Sequence, residues 1–182
     1  GGRLRFFVSG GAPLDTDITR FFLDIGLPVV EGYGMTETSP VIAANPLDDI
    51  RPGTVGRFLP NLQGRIAADG EILVRGPSIM TGYWNNDGAT RETILDGWLH
   101  TGDVGSLDEN GYLTIYDRKK DLIVNSAGEN IPPQKIEMRL MAQALISQAV
   151  VFGDRLPYLS ALIFPNPEQV QARFGAKPDT SV

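Results

Sequence analysis

Residues 4–30 read as strand, glycine-rich turn, helix and strand, the order of a βαβ unit. Residues 4–8 are an apolar, β-forming run ended by Ser9-Gly10-Gly11-Ala12-Pro13. Ile18, Phe21, Phe22 and Ile25 then fall at i, i+3, i+4 and i+7, one face of a helix. Asp15 or Thr16 can cap its start, and Gly26 with Pro28 ends it. Val29 and Val30 begin a second strand. This βαβ pattern predicts parallel strands joined by a right-handed crossover. Two polar turns, residues 9–13 and 31–37, follow the carboxyl ends of the strands, where open α/β sheets bind ligands.

From Pro46 the texture changes. Residues 54–56, 63–67, 71–75 and 79–84 are short strand candidates separated by Gly, Pro, Asn and Asp, which predicts a small antiparallel sheet or barrel. Asp69-Gly70 signals a hairpin, and Asp108-Glu109-Asn110-Gly111 signals another that leads into residues 112–116. At Asp117 the pattern changes again. Residues 121–125 predict a strand, 126–130 a turn, and Pro132-Pro133 opens a helix lined by Ile136, Leu140 and Ala144. Residues 149–152 and 159–164 predict two strands, and Asn166 with Gln169 starts a last helix that Gly175 stops. Residues 177–182, with Lys177, read as tail. The fold class is therefore α/β plus a barrel-like β part, followed by a small α+β domain, with boundaries at 1–46, 47–116 and 117–182.

Composition closes several routes. The net charge of −6 argues against a nucleic-acid surface, and the one basic cluster, Arg118-Lys119-Lys120, is flanked by Asp117 and Asp121. Without cysteine there is no disulfide, thiolate metal site or cysteine nucleophile, and a single histidine excludes a His-rich metal site. No apolar run reaches the length of a membrane span, and the opening GGRLRFFVSGG lacks a secretory-signal pattern. Cytoplasm is the default expectation. The chain lacks an initiator Met and opens almost directly on an apolar strand, so residue 1 is read as an internal cut.

Four stretches can carry chemistry. In SGGAPL, Gly10 and Gly11 let a backbone approach a ligand, and a following helix favours an anion or polar heterocycle; a plain strand-to-helix turn reads equally well. In EGYGMTETSP, residues 31–40, Tyr33 between Gly32 and Gly34 can lay its ring on a planar base. Thr36 can donate to a phosphate oxygen, and Glu37 can hold Mg²⁺, which prefers oxygen ligands and phosphate partners. A buried Tyr beside a Thr-Glu cap is the plain alternative, and two glycine turns at adjacent strand ends favour the ligand. In GWLHTGDVG, residues 97–105, Asp103 in a Gly-flanked turn can accept from two vicinal ribose hydroxyls, or simply make an Asx turn. His100 reads as a packing or hydrogen-bonding residue and Trp98 as core. In DRKKD, Arg118 can meet phosphate or ribose oxygens, and Lys120 sits at the proposed boundary, where a few residues absorb a domain motion; a solvated charge run is the alternative.

The order and spacing of SGGAPL, EGYGMTETSP, GEILVRGPSIMTGYW, GWLHTGDVG and DRKKDLIVNSAGENIPP resemble the adenylate-forming superfamily of acyl-CoA synthetases, firefly-type luciferases and peptide-synthetase adenylation domains. EGYGMTETSPVIAANP, DGWLHTGDVG and AVVFGDRLPYLSALIFPNPE are most similar to its long-chain fatty acid–CoA ligase branch. The resemblance implies a ligase that activates a fatty acid with ATP and Mg²⁺ to acyl-AMP and then transfers the acyl group to coenzyme A. It implies that Gly10, Gly11, Ala12 and Pro13 border the adenine pocket, and that Glu31, Gly32, Tyr33 and Gly34 flank the base. Thr36 would meet the α-phosphate, Glu37 Mg²⁺, Asp103 the ribose hydroxyls, and Arg118 ribose or phosphate. Lys120 would be the hinge, and Gly128 would belong to the loop that swings in for the thioester step.

Residues 1–46 would then end a large N-terminal α/β subdomain, and 117–182 would be an incomplete C-terminal domain. The resemblance also leaves room for peripheral association of the parent protein with the inner face of a membrane. Two family elements are missing from this sequence: the Lys-containing phosphate loop, expected upstream, and the late Pro-Lys-Thr-x-Ser-Gly-Lys-like segment, whose context Lys177 lacks. These 182 residues alone are therefore expected to be inactive. An aryl or short-chain acid–CoA ligase, or a non-catalytic AMP-binding module, are the alternatives.

Overall fold

The structure, a computed structural model, describes residues 2–175, so the tail read at Lys177 lies outside the described residues. The chain forms two compact units, Gly1–Ile115 and Tyr116–Val182.

In the first unit β1 (Phe7–Ser9) pairs in parallel with β2 (Val29–Gly34), and α1 (Thr16–Asp24) connects them. The Asp15 side chain caps α1 by accepting from the N–H groups of Asp17 and Ile18 at 2.8 and 3.3 Å. The amphipathic spacing thus makes the expected helix, yet Ile18, Phe21 and Ile25 remain exposed, while Phe22 packs against Phe7. Antiparallel β3 (Val41–Ala44) and β4 (Arg57–Phe58) extend the sheet in the order β1-β2-β3-β4. Between β2 and β3 the chain makes one 3₁₀ turn, Thr36–Thr38. Gly34 is required there because a Cβ would fall on the Pro40 carbonyl oxygen.

A second sheet contains β5 (Gln63–Ile66), β6 (Glu71–Arg75), β7 (Ile94–Leu95), β8 (Trp98–Leu107) and β9 (Leu113–Arg118). Its order is β5-β6-β8-β7, with β9 also paired to β8. This sheet is open, not the barrel weighed from the sequence, since the two-residue β7 is too short to carry a ladder round to β5. The core lies between the two sheets: Ile42 and Ala43 of β3 meet Ile72 and Val74 of β6, Leu113 of β9, and Leu62.

Three strand or turn assignments are corrected. Residues 54–56 are not a strand, because Asn45 pins that loop, donating to the Thr54 carbonyl at 2.7 Å and accepting the Arg51 N–H at 3.0 Å. Residues 79–84 are irregular and lead into a short helix, α2 (Asp87–Thr93), that the pattern did not reveal. Their backbone donors are used elsewhere, Met80 N–H by the Glu37 carbonyl and Tyr83 N–H by Thr90 Oγ1. Residues 98–105 belong to β8 and not to a turn; the turn is Asp96-Gly97, both at positive φ, between β7 and β8.

The second unit contains the hairpin β10 (Ile123–Val124) and β11 (Asn130–Ile131), helix α3 (Pro133–Met141), antiparallel strands β12 (Ile146–Phe152) and β13 (Ser160–Pro165), and helix α4 (Pro167–Phe174). Pro132 has no side-chain cap to offer α3, and buried Asp117 supplies one, its Oδ2 accepting the Gln134 N–H at 3.2 Å. Ala144 falls beyond the end of α3, in the turn that leads to β12. The strand read at 121–125 shrinks to β10 because Lys119–Asp121 form a 3₁₀ turn. Asn166 caps α4 as its sequence implies, and Gly175 closes it at φ 64°.

Ile42 is fully buried in the shared core. Ile42→Ala is expected to cost about 2–5 kcal/mol, read as a lowered urea midpoint at unchanged slope.

Candidate functional site

Parallel pairing sets Ser9 opposite Glu31, so the two glycine-rich turns leave the sheet side by side. A Cβ on Gly10 would lie 3.1 Å from the Gly32 carbonyl oxygen, so the two turns pass close to one another at this point. Gly10, Gly11, Ala12 and Pro13 are exposed along the first turn. In the second, the Tyr33 ring packs against the core and its hydroxyl donates to Asp103 Oδ2 at 2.5 Å. Two residues 70 apart in sequence are thereby joined across the two sheets. Asp103 is only 7% exposed and sits within β8.

Thr36 is exposed at the start of the 3₁₀ turn, and Glu37 is half-buried beside it. Thr38, fully buried, holds this turn closed: its Oγ1 lies 2.8 Å from the carbonyl oxygens of Met35 and Pro40. Tyr83 donates its hydroxyl to Glu37 Oε1 at 2.9 Å. Burial and then the Glu37 carboxylate push the Tyr83 pKa above its ordinary value, so it remains a donor. Tyr83 was missed as a site residue, although it stands in the motif GPSIMTGYW. Among the described residues no group of three or more His, Asp or Glu can hold a metal ion. One half-exposed carboxylate, Glu37, fits a Mg²⁺ whose remaining oxygen ligands come from phosphate and water.

The Glu31 side chain is committed inward. Its Oε1 accepts from Thr19 Oγ1 of α1 at 3.2 Å, and the Gly53 backbone also donates to the carboxylate. Glu31 therefore ties α1, β2 and the loop after β3 together beneath the turns. His100 has the hydrogen-bonding role read from the sequence, with Nδ1 3.1 Å from Glu71 Oε2. Trp98 is not core: it is half-buried, with the guanidinium groups of Arg65 and Arg75 at 4.4 and 4.7 Å from its ring.

In the second unit Arg118 and Lys120 are exposed, Arg118 at the end of β9 and Lys120 in the 3₁₀ turn that follows. The Arg118 N–H donates to Asp117 Oδ1 at 2.8 Å. Gly128, at φ 81°, lies in the β10–β11 loop, where Asn125 Oδ1 accepts the N–H groups of Ala127 and Glu129 at 2.9 Å.

Burial raises the pKa of Glu31, and the Thr19 and Gly53 hydrogen bonds offset that only in part. The folded state then holds this proton more tightly than the unfolded state. The linked stability is complete below the ordinary glutamate value and is lost as pH rises through the folded-state value. Glu31→Gln removes that dependence. Melting temperatures of the two proteins, measured across pH, are expected to show a difference that changes in this window and is flat on either side.

Two family profiles match the chain: AMP-binding enzyme over residues 1–84 and AMP-binding enzyme C-terminal domain over residues 120–177. The long-chain-fatty-acid–CoA ligase FadD15 of Mycobacterium bovis (strain ATCC BAA-935 / AF2122/97) is 49% identical over 168 residues, 92% of this chain and 28% of that protein. The 2-succinylbenzoate–CoA ligase of Bacillus cereus (strain AH820) is 44% identical over 161 residues, 82% of this chain and 33% of that protein. O-succinylbenzoate coenzyme A synthetase (MenE) from Bacillus subtilis, solved in complex with AMP, has a TM-score of 0.80 at 31% identity over 93% of this chain and 39% of its own. The same enzyme with ATP and magnesium ion has a TM-score of 0.78 at 32% identity over 88% of this chain and 36% of its own. The chain thus spans about a third or less of the curated relatives it matches, 28% and 33% of their lengths. Profiles falling in both units, together with this agreement of backbone, make the chain a member of the AMP-binding enzyme family.

Proposed function

We propose that this chain belongs to an AMP-forming acid–CoA ligase and that its first unit holds the adenylate. The Tyr33–Asp103 hydrogen bond carries this reading, since it fixes a carboxylate beside an aromatic ring at the carboxyl end of β2. Asp103 accepts from the ribose hydroxyls. Tyr33, with Glu31, Gly32 and Gly34, flanks the base, which Gly10, Gly11, Ala12 and Pro13 border on the other side. Glu31 does so through its backbone, because its carboxylate is bound to Thr19 and Gly53. Thr36 donates to the α-phosphate, and Tyr83 orients the Glu37 carboxylate that would hold Mg²⁺, which neutralises phosphate charge when bound.

In the first step a carboxylate oxygen of the acid attacks the α-phosphorus of ATP, the bond to pyrophosphate breaks, and acyl-AMP forms. In the second the thiol of coenzyme A loses its proton, its sulfur attacks the acyl carbon, and AMP leaves. Arg118 meets ribose or phosphate oxygens. Lys120, in the 3₁₀ turn just past the division between the units, is the hinge, and Gly128 serves the thioester step. The three parts 1–46, 47–116 and 117–182 are the end of a large α/β subdomain, a small β subdomain and part of the C-terminal domain.

The fatty acid is favoured as substrate by 49% identity to a long-chain-fatty-acid–CoA ligase. An aryl acid is the second reading, favoured by 44% identity to a 2-succinylbenzoate–CoA ligase. Among the described residues no helix is long and apolar enough to cross a membrane. Cytoplasmic placement, with the parent protein peripheral at a membrane, is in keeping with an amphiphilic substrate.

Calorimetry with AMP tests the pocket: Asp103→Ala is expected to weaken binding by about 1.5–3 kcal/mol, the loss of a charge-assisted hydrogen bond, and an unchanged affinity would remove Asp103 from the site. In ATP–pyrophosphate exchange the 182 residues alone are expected to give no turnover with a long-chain fatty acid, since neither the phosphate loop nor the late lysine is among them. Robust exchange would overturn that expectation. A panel of acids offered to the longer protein, with fatty acids ahead of aryl acids, checks the substrate class.

A further inference from the structure

Glu71, the first residue of β6, is only 5% exposed, and none of the roles above uses it. Its Oε1 accepts the Gly102 N–H at 2.9 Å, and its Oε2 lies 3.1 Å from His100 Nδ1. Both contacts fall where the β6–β8 ladder is irregular. Glu71 pairs with Val104 and Leu73 with His100, so β8 advances four residues while β6 advances two. The extra length is a bulge, and Gly102 adopts φ 72° within it.

A bulged strand leaves backbone donors without ladder partners, and buried donors need replacements. Glu71 supplies one for Gly102. Thr101 supplies the next, its Oγ1 accepting the Asp103 N–H at 3.1 Å while donating to the Ile72 carbonyl at 2.8 Å. Asp103 follows Gly102 directly. If the bulge were lost, regular pairing would slide Asp103 along β8 by two positions, about 6–7 Å, and away from the Tyr33 hydroxyl.

We propose that Glu71 is a positioning residue for Asp103: its carboxylate holds the β8 bulge that sets Asp103 against Tyr33, and it thereby governs selection of a nucleotide with vicinal ribose hydroxyls. The proposal rests on the reading of Asp103 as the ribose acceptor. A role confined to stability would lower the melting temperature without changing which nucleotide is preferred.

Calorimetry with AMP and with 2′,3′-dideoxy-AMP separates these. Wild type is expected to prefer AMP by tenfold or more. Glu71→Ala is expected to lose at least tenfold in AMP affinity while dideoxy-AMP changes less than threefold, so that the two converge. Glu71→Gln, which keeps an acceptor for the Gly102 N–H, is expected to restore most of the preference. Should Glu71→Ala not fold, Gly102→Ala decides: its Cβ would meet no atom within 4 Å, so the change strains only the backbone of the bulge. It is expected to show the same convergence. A folded Glu71→Ala or, in its place, Gly102→Ala that keeps the wild-type preference overturns the positioning role. A wild type that binds both nucleotides equally, or neither, overturns the Asp103 reading and this proposal with it.

Discussion

The hydrogen bond from Tyr33 to Asp103 brings together the end of β2 and the middle of β8, strands of different sheets. Several features of the first unit serve to make that contact possible. Core packing of Ile42, Ala43, Ile72, Val74 and Leu113 holds the sheets face to face. The Glu71-bound bulge places Asp103 along β8, and the inward bonds of Glu31 hold the strand that carries Tyr33. A short contact between two polar groups in a mostly buried setting is strong only while its surroundings keep it aligned.

Polar side chains repeatedly take over where regular hydrogen bonding stops. Asp15 caps α1, Thr38 closes the turn after β2, Asn45 ties down the following loop, and Asp117 serves the start of α3. Each satisfies backbone groups that helix or ladder bonding leaves without a partner. The loop after β3 is further anchored on Tyr112, whose ring lies beneath the guanidinium groups of Arg51 and Arg57 at 3.9 and 4.5 Å and whose hydroxyl donates to the Asp49 carbonyl at 2.8 Å. Through Gly53 the same loop reaches Glu31, so the support of the site extends well away from the glycine turns.

Much of this was legible. Helical spacing of Ile18, Phe21, Phe22 and Ile25, the Asp69-Gly70 hairpin and the Asn166 cap are local signals, and the corresponding elements formed. Residues 79–84 misled because apolar and aromatic residues suggested a strand, whereas their backbone donors are claimed by Glu37 and by Thr90. Residues 97–105 misled because their glycines suggested a turn. The Asp96-Gly97 pair was the true hairpin signal, and Gly102 makes a bulge inside a strand. Trp98 read as core, but it is half-buried and its ring is met by two arginine guanidinium groups.

By itself the sequence determined the order of elements, the parallel start, the glycine turns and the family, because these depend on spacing and on residue types read within a few positions of one another. Which polar groups meet was decided only by the tertiary structure. Tyr33 with Asp103, Glu37 with Tyr83, and Glu71 with Gly102 are separated by 70, 46 and 31 residues. No local pattern encodes such pairs. Strand register and the position of one bulge set the first and third, which follow from how two sheets bury a common core. The bond from Met80 N–H to the Glu37 carbonyl brings the irregular segment of Tyr83 to the 3₁₀ turn and sets the second.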